Sequence, residues 1–149
     1  MKLDLGCGVQ KKPEFLGADK IETSQTDYVF DITKDRFPFD DESVDELYCG
    51  DVIEHITYAE MIHMMNESWR ILIPKGKMTI CTVLGLEGWF NHPPHVRPIF
   101  PNQFEYFKKT DSGTFNHMKK TDGINCCFSV KDKSINDGNL RFELIKENL

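Results

Sequence analysis

The sequence predicts an α/β fold with a mostly parallel, twisted sheet, and three observations lead to that prediction. An apolar strand at the N-terminus runs directly into a glycine-rich turn, LDLGCG at residues 3–8. Apolar residues recur at helical spacing over residues 58–72. Strand-like runs flank that segment at residues 44–49 and 78–83. Strands that alternate with a helix indicate βαβ units and therefore a parallel sheet.

Length and composition are those of a globular protein. The 149 residues favour one domain that spans 1–149, and the 40% hydrophobic and 28% charged fractions are ordinary. No apolar run approaches the ~18 residues of a membrane span, and Asp4 interrupts any signal-peptide core. Five cysteines without Cys-x-x-Cys spacing argue against a disulfide framework, so we expect a cytoplasmic protein. The net charge of −6 disfavours nucleic acid as a partner.

The first half of the chain is predicted to hold short strands with little between them. Residues 15–19 form a second strand that ends in Asp19, only eleven positions after Gly8. Because parallel strands normally need a crossover of about a dozen residues, a loop or single turn must replace the first helix. Residues 28–32 are expected to form a third short strand, and residues 44–49 a fourth that ends at Gly50-Asp51.

One strong helix and a fifth strand follow. Thr57 and Glu60 have the spacing of a capping box and predict where the helix begins. Its expected apolar stripe consists of Tyr58, Met61, Ile62, Met65, Trp69 and Leu72. Residues 74–77 are read as a turn into the strand at residues 78–83.

The C-terminal third is predicted to contain a long loop and a hairpin. Residues 84–101 include four prolines and are expected to be irregular, and residues 101–107 suit a short helix. Residues 124–130 and 140–145 form the two strands of a hairpin, joined by the Asn136-Asp137-Gly138 turn.

The glycine turn is the first candidate for ligand binding. It follows a strand, and open α/β sheets bind ligands at the carboxyl ends of their strands. Gly6 and Gly8 lack the Cβ atoms that would keep a ligand from the backbone. Asp19 ends the second strand, where dinucleotide-type folds use an acid to accept ribose hydroxyls, although ~20 residues usually separate that acid from the turn.

Four segments resemble motifs of the class I S-adenosylmethionine-dependent methyltransferases. They are the turn LDLGCG at 3–8, FPFDDESVD at 37–45 before the fourth strand, VIEHI at 52–56 after it, and RILIPKGK at 70–77 before the fifth. The chain resembles a small, N-terminally truncated form, because the family usually begins with a helix before the first strand. The resemblance implies a Rossmann-like methyltransferase fold with a C-terminal antiparallel hairpin and shortened first helices.

The resemblance also implies S-adenosyl-L-methionine as cofactor, and a site for it. The turn would approach the methionine moiety, with Asp4 orienting the turn or binding the amino group. Asp19 would bind the ribose, Asp31 the adenine amine, and Gly50-Asp51 would lie nearest the sulfonium. The full predicted cofactor set is Asp4, Leu5, Gly6, Cys7, Gly8, Asp19, Lys20, Asp31, Ile32, Gly50, Asp51 and Val52.

Histidines are the candidate catalytic groups. His95 and His55 are the predicted bases, and His92, His95 and Arg97 are predicted to bind substrate. The two histidines of His92-Pro93-Pro94-His95 are not at helical i, i+4 spacing, and the sequence shows no third ligand near them. The sequence therefore predicts no metal site.

The predicted reaction is transfer of the methyl group to an unidentified acceptor. The acidity of the chain favours a small molecule, with no membrane partner, and a second copy that supplies cover for the cofactor is the predicted protein partner. Two alternatives stay open. One is a non-catalytic S-adenosylmethionine-binding scaffold or regulatory module. The other is an NAD-dependent oxidoreductase, which the lysine at the third glycine position of Gly-x-Gly-x-x-Gly, Lys11, disfavours.

Overall fold

A seven-stranded mixed sheet forms the centre of the structure, a computed structural model that describes residues 1–109 and 112–149, except the side chains of residues 114, 115 and 118. The strands are β1 Lys2–Leu5, β2 Leu16–Asp19, β3 Tyr28–Val29, β4 Val44–Gly50, β5 Leu72–Val83, β6 Phe128–Asn136 and β7 Asn139–Lys146. The helices are α1 Tyr58–Ile71, α2 Gly85–Phe90 and α3 Gly113–Thr121, with 3₁₀ turns at Ile53–His55 and Gln103–Phe107.

The strand order is β3-β2-β1-β4-β5-β7-β6. The first five strands are parallel, with Leu3 of β1 opposite both Leu16 and Leu47. Strand β7 pairs antiparallel with β5 and with β6. The order reverses at β1, which has β2 on one side and β4 on the other. The predicted fold class is therefore confirmed, including its antiparallel C-terminal hairpin.

No helix separates β1 from β2 or β2 from β3, and residues 6–15 and 20–27 connect these strands. Carboxylates hold the two connections in place. The backbone N–H of Lys12 donates to Asp4 Oδ2 over 2.7 Å, and that of Gly17 donates to Asp27 Oδ2 over 2.7 Å. Lys11 Nζ lies 2.7 Å from the same Asp27 oxygen. The shortened beginning of the fold is thus as predicted.

Helix α1 begins at its predicted capping box. The Thr57 side chain accepts from the Glu60 N–H, and the Glu60 carboxylate accepts from the Thr57 N–H over 2.7 Å. The predicted apolar stripe is only partly right. Tyr58 is exposed and Leu72 is already the first residue of β5. The buried residues are Met61, Met64, Met65, Ser68 and Ile71, because the face turned to the sheet is centred on Met61, Met65 and Ser68.

Strand bounds differ from the predictions in three places. The first hairpin strand, expected at residues 124–130, is β6 Phe128–Asn136. The third strand contains only two residues, Tyr28–Val29. Strand β5 begins at Leu72 and runs through the predicted turn at residues 74–77. Leu72 pairs with Val44 and Lys77 with Glu46, so the segment between them is an irregularity inside the strand.

The region after β5 is more regular than predicted. Residues 84–101 contain α2, Gly85–Phe90, because all four prolines lie beyond residue 92 and leave that stretch free to form a helix. The short helix expected at residues 101–107 is the 3₁₀ turn Gln103–Phe107, and α3 had no sequence prediction. The two-residue hairpin turn is as predicted, with positive φ at Asp137 and Gly138.

The core lies mainly on one face of the sheet, because the strand register places its buried apolar side chains on the same side. Among its fully buried members are Leu3, Leu47, Met65, Ile80 and Phe142. No helix in the described part of the chain is long and apolar enough to cross a membrane.

Substitution of Gly17 can test how closely the first connection is packed. A Cβ atom there would lie 2.2 Å from the carbonyl oxygen of Gln25 and 2.7 Å from Cys7 Sγ. We expect Gly17→Ala to lower the free energy of unfolding by about 1–3 kcal/mol, measured by chemical denaturation. Gly113→Ala is the matched control, since a Cβ there meets nothing within 4 Å. Equal stabilities of the two variants would contradict this packing.

Candidate functional site

A cleft of about 200 Å³ opens at the carboxyl ends of the parallel strands. It lies where the strand order reverses, the position at which open α/β sheets bind ligands. Segments that follow β1, β2, β3 and β4 contribute to it. Its lining residues are Gly6, Asp19, Lys20, Asp31, Ile32, Thr33, Asp51, Val52, His55 and Ile56.

The glycine turn forms one wall of this cleft. Gly6 has a φ of +74°, and a Cβ atom there would lie 2.5 Å from Cγ2 of Val52. The N–H groups of Gly6 and Cys7 both donate to the carbonyl of Ala18, over 2.8 and 3.2 Å. These bonds join the turn to β2. The backbone conformation and the close approach of Val52 together require glycine at position 6.

Asp19 connects the turn to the end of β2. Its Oδ2 accepts from the Gly8 N–H over 2.9 Å, and its Oδ1 accepts from the Ile21 N–H over 2.9 Å. The side chain is half-buried and lines the cleft. Each carboxylate oxygen can accept a second hydrogen bond, so the bonds to the backbone leave Asp19 able to receive hydroxyl donors.

Asp31 is a second acid in the cleft wall. The Thr33 hydroxyl donates to its Oδ1 over 2.6 Å and the Thr33 N–H over 3.0 Å, while Lys34 Nζ lies 3.2 Å from its Oδ2. The Thr33 hydroxyl, with support from Lys34, lowers the pKa of Asp31 to about 2. The group is therefore an ionised acceptor near neutral pH.

The end of β4 supplies the third acid. Asp51 is exposed and has a φ of +54°, and its N–H donates to the Cys81 carbonyl over 2.9 Å. The next residue, Val52, packs against Gly6 from the opposite wall. The structure thus brings Asp19, Asp31 and Asp51 together around one cleft, as the motif resemblance implied.

Five members of the predicted cofactor set do not line the cleft: Asp4, Leu5, Cys7, Gly8 and Gly50. Asp4 is buried behind the turn, where it holds Lys12 and where desolvation raises its pKa. Leu5 is a core residue, and Cys7 is buried against Gly17. Their positions shape the turn from behind. The roles assigned to the set of twelve stay predictions.

Two residues that the sequence did not single out also line the cleft, Thr33 and Ile56. Thr33 holds the Asp31 carboxylate, and its spacing two residues after an aspartate was an available signal for such a turn. Ile56 ends the segment VIEHI, so its place in that motif was the available signal.

The three predicted histidines form one cluster at the edge of the cleft. His55 lines the cleft, its ring lies 4.7 Å from that of His95, and the His95 and His92 rings lie 4.6 Å apart. His95 Nδ1 is 2.7 Å from the Gly88 carbonyl oxygen, and His55 Nδ1 is 3.3 Å from that of Pro94. The sequence showed no third histidine beside the pair, whereas the fold places His55 there.

Arg97 is buried, although its predicted role in substrate binding required an accessible side chain. Its Nε donates to the Ile56 carbonyl over 2.9 Å, its guanidinium carbon lies 4.4 Å from the centre of the Tyr58 ring, and burial lowers its pKa. Arg97 therefore joins the loop after α2 to the start of α1. Glu54, also buried, has an Oε2 without a hydrogen-bond partner in the described part of the chain.

A larger groove of about 640 Å³ lies between α1 and the 3₁₀ turn Gln103–Phe107. Tyr58, Met61 and Tyr106 are among its lining residues, and none of the predicted site residues is. The chemistry-bearing side chains therefore converge on the smaller cleft.

Strand order, glycine turn and acid-lined cleft define a Rossmann-like protein that binds a nucleotide-type cofactor. A family model described as a methyltransferase domain matches residues 7–80. Residues 7–80 therefore carry a methyltransferase domain, as the motifs predicted, and the fold is that of the S-adenosylmethionine-dependent methyltransferases. No curated protein sequence matches the chain.

Solved structures of low sequence identity share the fold. An S-adenosylmethionine-dependent methyltransferase from Archaeoglobus fulgidus has a TM-score of 0.66 at 13% identity, over 97% of this chain and 85% of that one. Phosphoethanolamine N-methyltransferase 1 of Haemonchus contortus, solved with phosphoethanolamine and S-adenosylhomocysteine, has a TM-score of 0.69 at 12% identity. The match covers 97% of this chain and 38% of that one. A chain of the complex between the Haloferax volcanii Trm112 methyltransferase activator and its methyltransferase has a TM-score of 0.59 at 15% identity. The match covers 99% of this chain and 82% of that one.

S-adenosylmethionine is the cofactor that the family indicates for this chain, which confirms the cofactor prediction. The residues present fit it. A Cβ at Gly6 would lie 2.5 Å from Val52 Cγ2, so glycine keeps the turn free of a side chain there. The ionised Asp31 carboxylate and the oxygens of Asp19 offer acceptors to hydroxyl and amine donors.

The lowered pKa of Asp31 makes a pH dependence testable. Its folded pKa of about 2 lies below the ordinary 3.8, so its stabilisation is fully present above 3.8 and lost as pH falls towards about 2. We expect Asp31→Asn to cost roughly 1–2 kcal/mol of unfolding free energy near neutral pH and nothing at the acid end. Chemical denaturation across pH measures this, with exposed Glu22→Gln as control. A pH-independent loss would contradict the assignment.

Proposed function

We propose that this chain transfers the methyl group of S-adenosylmethionine to a small-molecule acceptor in the cleft beside His55. The observation that carries the proposal is the convergence of the glycine turn, Asp19, Asp31 and Asp51 at the point where the strand order reverses. The methyltransferase domain supports methyl transfer as the reaction.

Cofactor binding is assigned from the contacts of the cleft. Asp19 is the acceptor for the ribose hydroxyls, since its oxygens keep free lone pairs at the end of β2. Asp31, with Ile32 beside it, faces the adenine. The backbone of the glycine turn receives the methionine moiety, and Asp51 lies at the sulfonium end of the site.

When bound, S-adenosylmethionine supplies an electrophilic methyl group. The residues of this chain then have to hold an acceptor in line with it, and such positioning can contribute roughly 7–11 kcal/mol. His95 and His55 are the proposed bases. A carbonyl oxygen only accepts, so Nδ1 of each histidine is the donor and Nε2 is left with a lone pair for an acceptor's proton.

The lining of the cleft supports a neutral or cationic acceptor. Asp19, Asp31 and Asp51 outnumber the single cation among the lining residues, Lys20. This acidic surface opposes the approach of a phosphate backbone. Arg97, predicted to bind an anionic group of the substrate, is engaged by Ile56, Met61 and Tyr58 instead. A second copy that covers the cleft and a cytoplasmic location remain predictions.

Calorimetric titration with S-adenosylmethionine and with NAD tests the cofactor. Saturable binding of the first and none of the second is expected. Binding of NAD alone would point to the oxidoreductase, and binding of neither would overturn the proposed site. Release of S-adenosylhomocysteine in the presence of pooled amines and alcohols, detected by mass spectrometry, tests the reaction. Binding without such release from any pool would favour the non-catalytic scaffold.

We expect Asp19→Ala to weaken S-adenosylmethionine binding by about 1–3 kcal/mol, because charge-assisted hydrogen bonds to the ribose are lost. Calorimetry on variants with native circular dichroism measures this. The Glu22→Gln variant, at an exposed position in the connection after β2, is the control for the loss of one carboxylate. Unchanged affinity in folded Asp19→Ala would show that Asp19 does not hold the ribose.

We expect His95→Ala to reduce turnover by ~10²–10⁴-fold while S-adenosylmethionine affinity is kept, since a base acts on the acceptor and not on the cofactor. The rate of S-adenosylhomocysteine formation and the calorimetric affinity are compared in the same preparation. His63→Ala, on the outer side of α1 where its ring contacts the Asp35 carbonyl, is the matched control. Equal loss of affinity and turnover would place His95 in the cofactor site.

A further inference from the structure

We propose that His55, His92 and His95 bind a divalent transition-metal ion, with Zn²⁺ the best match, at the edge of the cleft. Each histidine offers one ring nitrogen, and the three nitrogens all lie within 4.8 Å of one another. The ligands come from two segments, the 3₁₀ turn Ile53–His55 and the loop that follows α2. This proximity is a product of the fold, because His55 stands 37 positions before His92 in the chain.

The hydrogen bonds of two rings prepare their other nitrogens for a metal. His95 Nδ1 donates to the Gly88 carbonyl over 2.7 Å, and His55 Nδ1 to the Pro94 carbonyl over 3.3 Å. In the neutral form of both rings, Nε2 then presents its lone pair. A ring N–H donated to a backbone carbonyl is the usual support of a metal-binding histidine, since it sets the tautomer and raises the basicity of the ligand.

Backbone contacts hold the two ligand-bearing segments together. The Val96 N–H donates to the Glu54 carbonyl over 2.9 Å, and these residues directly adjoin His95 and His55. The His95 N–H donates to the His92 carbonyl over 3.0 Å, which makes a tight turn of the His-Pro-Pro-His run. Trp89 Nε1 donates to the His95 carbonyl over 2.9 Å. The ligand set is therefore preorganised before any ion binds.

Little movement is needed to reach a bound geometry. At Zn–N distances of 2.0–2.1 Å, tetrahedral ligand nitrogens lie about 3.3 Å apart. The separation of up to 4.8 Å would close by about 1.5 Å. His55 and His92 are exposed, so rotation of their side chains can supply this closure while the half-buried His95 stays in place.

Ligand chemistry selects the ion. Imidazole nitrogens suit Zn²⁺, Cu²⁺ and Ni²⁺, whereas Mg²⁺ and Ca²⁺ require oxygen ligands. Three histidines leave the fourth position of a tetrahedral ion open to water or to a donor atom of another molecule. An ion bound through Nε2 occupies the lone pairs that the proposed bases use, so His55 and His95 act as bases only in the metal-free chain. Asp51 and His55 line the same cleft, so its acidic surface also favours a cation nearby.

The test is Zn²⁺ titration of the full chain, purified without a histidine tag and dialysed against chelator. We expect one equivalent to bind in calorimetry and in competition with a colorimetric indicator. Co²⁺ in place of Zn²⁺ should give visible bands of a tetrahedral ion without a thiolate charge-transfer band. Such a band would assign the ion to cysteines, and octahedral Co²⁺ spectra would exclude the three-histidine geometry. Either result, or the absence of saturable binding, overturns the proposal.

Variants locate the ion. His92→Ala is the primary variant because the side chain is exposed and its loss should leave the fold intact, as circular dichroism will show. We expect a loss of Zn²⁺ affinity greater than the ~10–100-fold that removal of a supporting partner costs, and the same for His55→Ala. The controls are His63→Ala and His117→Ala, histidines outside the cluster. Unchanged affinity in His92→Ala, or equal losses in the controls, would refute the site. Zn²⁺ binding is measured without cofactor, so its outcome is independent of the methyl-transfer proposal.

Discussion

The connection between β1 and β2 is the constraint on which the rest of the site depends. Ten residues, 6–15, carry the chain from one parallel strand to its neighbour with no helix between them. The Ala18 carbonyl accepts two N–H groups of the turn, and the Asp19 carboxylate accepts a third from Gly8. These bonds draw the glycine turn against the end of β2. The cradle and the second-strand acid are therefore one hydrogen-bonded unit.

Close packing also requires glycine at two positions near this connection. A Cβ at Gly6 would strike Val52 across the cleft, and one at Gly17 would strike the Gln25 carbonyl behind it. Glycine at position 6 therefore lets the turn and Val52 pack together at the cleft wall, and glycine at position 17 lets the two helix-free connections pack against β2.

Two charged side chains show how burial decides a role. Asp31 lines the cleft and is kept ionised by Thr33 and Lys34, so it remains a hydrogen-bond acceptor. Arg97 carries an equally strong charge but is buried, with its Nε on the Ile56 carbonyl and its guanidinium over Tyr58. The first is placed to contact a ligand, whereas the second braces the loop that holds His95. The residue types alone do not predict that Asp31 lines the cleft or that Arg97 is buried.

The histidine cluster is the clearest product of tertiary structure. Local spacing showed two histidines around two prolines, and spacing alone argued against a metal site. The third member follows β4, and the bond from the Val96 N–H to the Glu54 carbonyl holds it beside the pair. A contact of that kind joins residues far apart in the chain, so no local pattern predicts it.

The sequence by itself determined the α/β class, the glycine turn, the capped helix α1, the hairpin turn and the methyltransferase domain, because each depends on neighbouring residues or on a motif of fixed spacing. The paired strand register then brought Asp19, Asp31 and Asp51 to one edge, as the motifs implied. Only the tertiary structure decided which helix positions face the sheet, that residues 85–90 are helical, that Arg97 is buried and that His55 joins His92 and His95. These features depend on packing between distant segments, where burial and long-range hydrogen bonds override local preference.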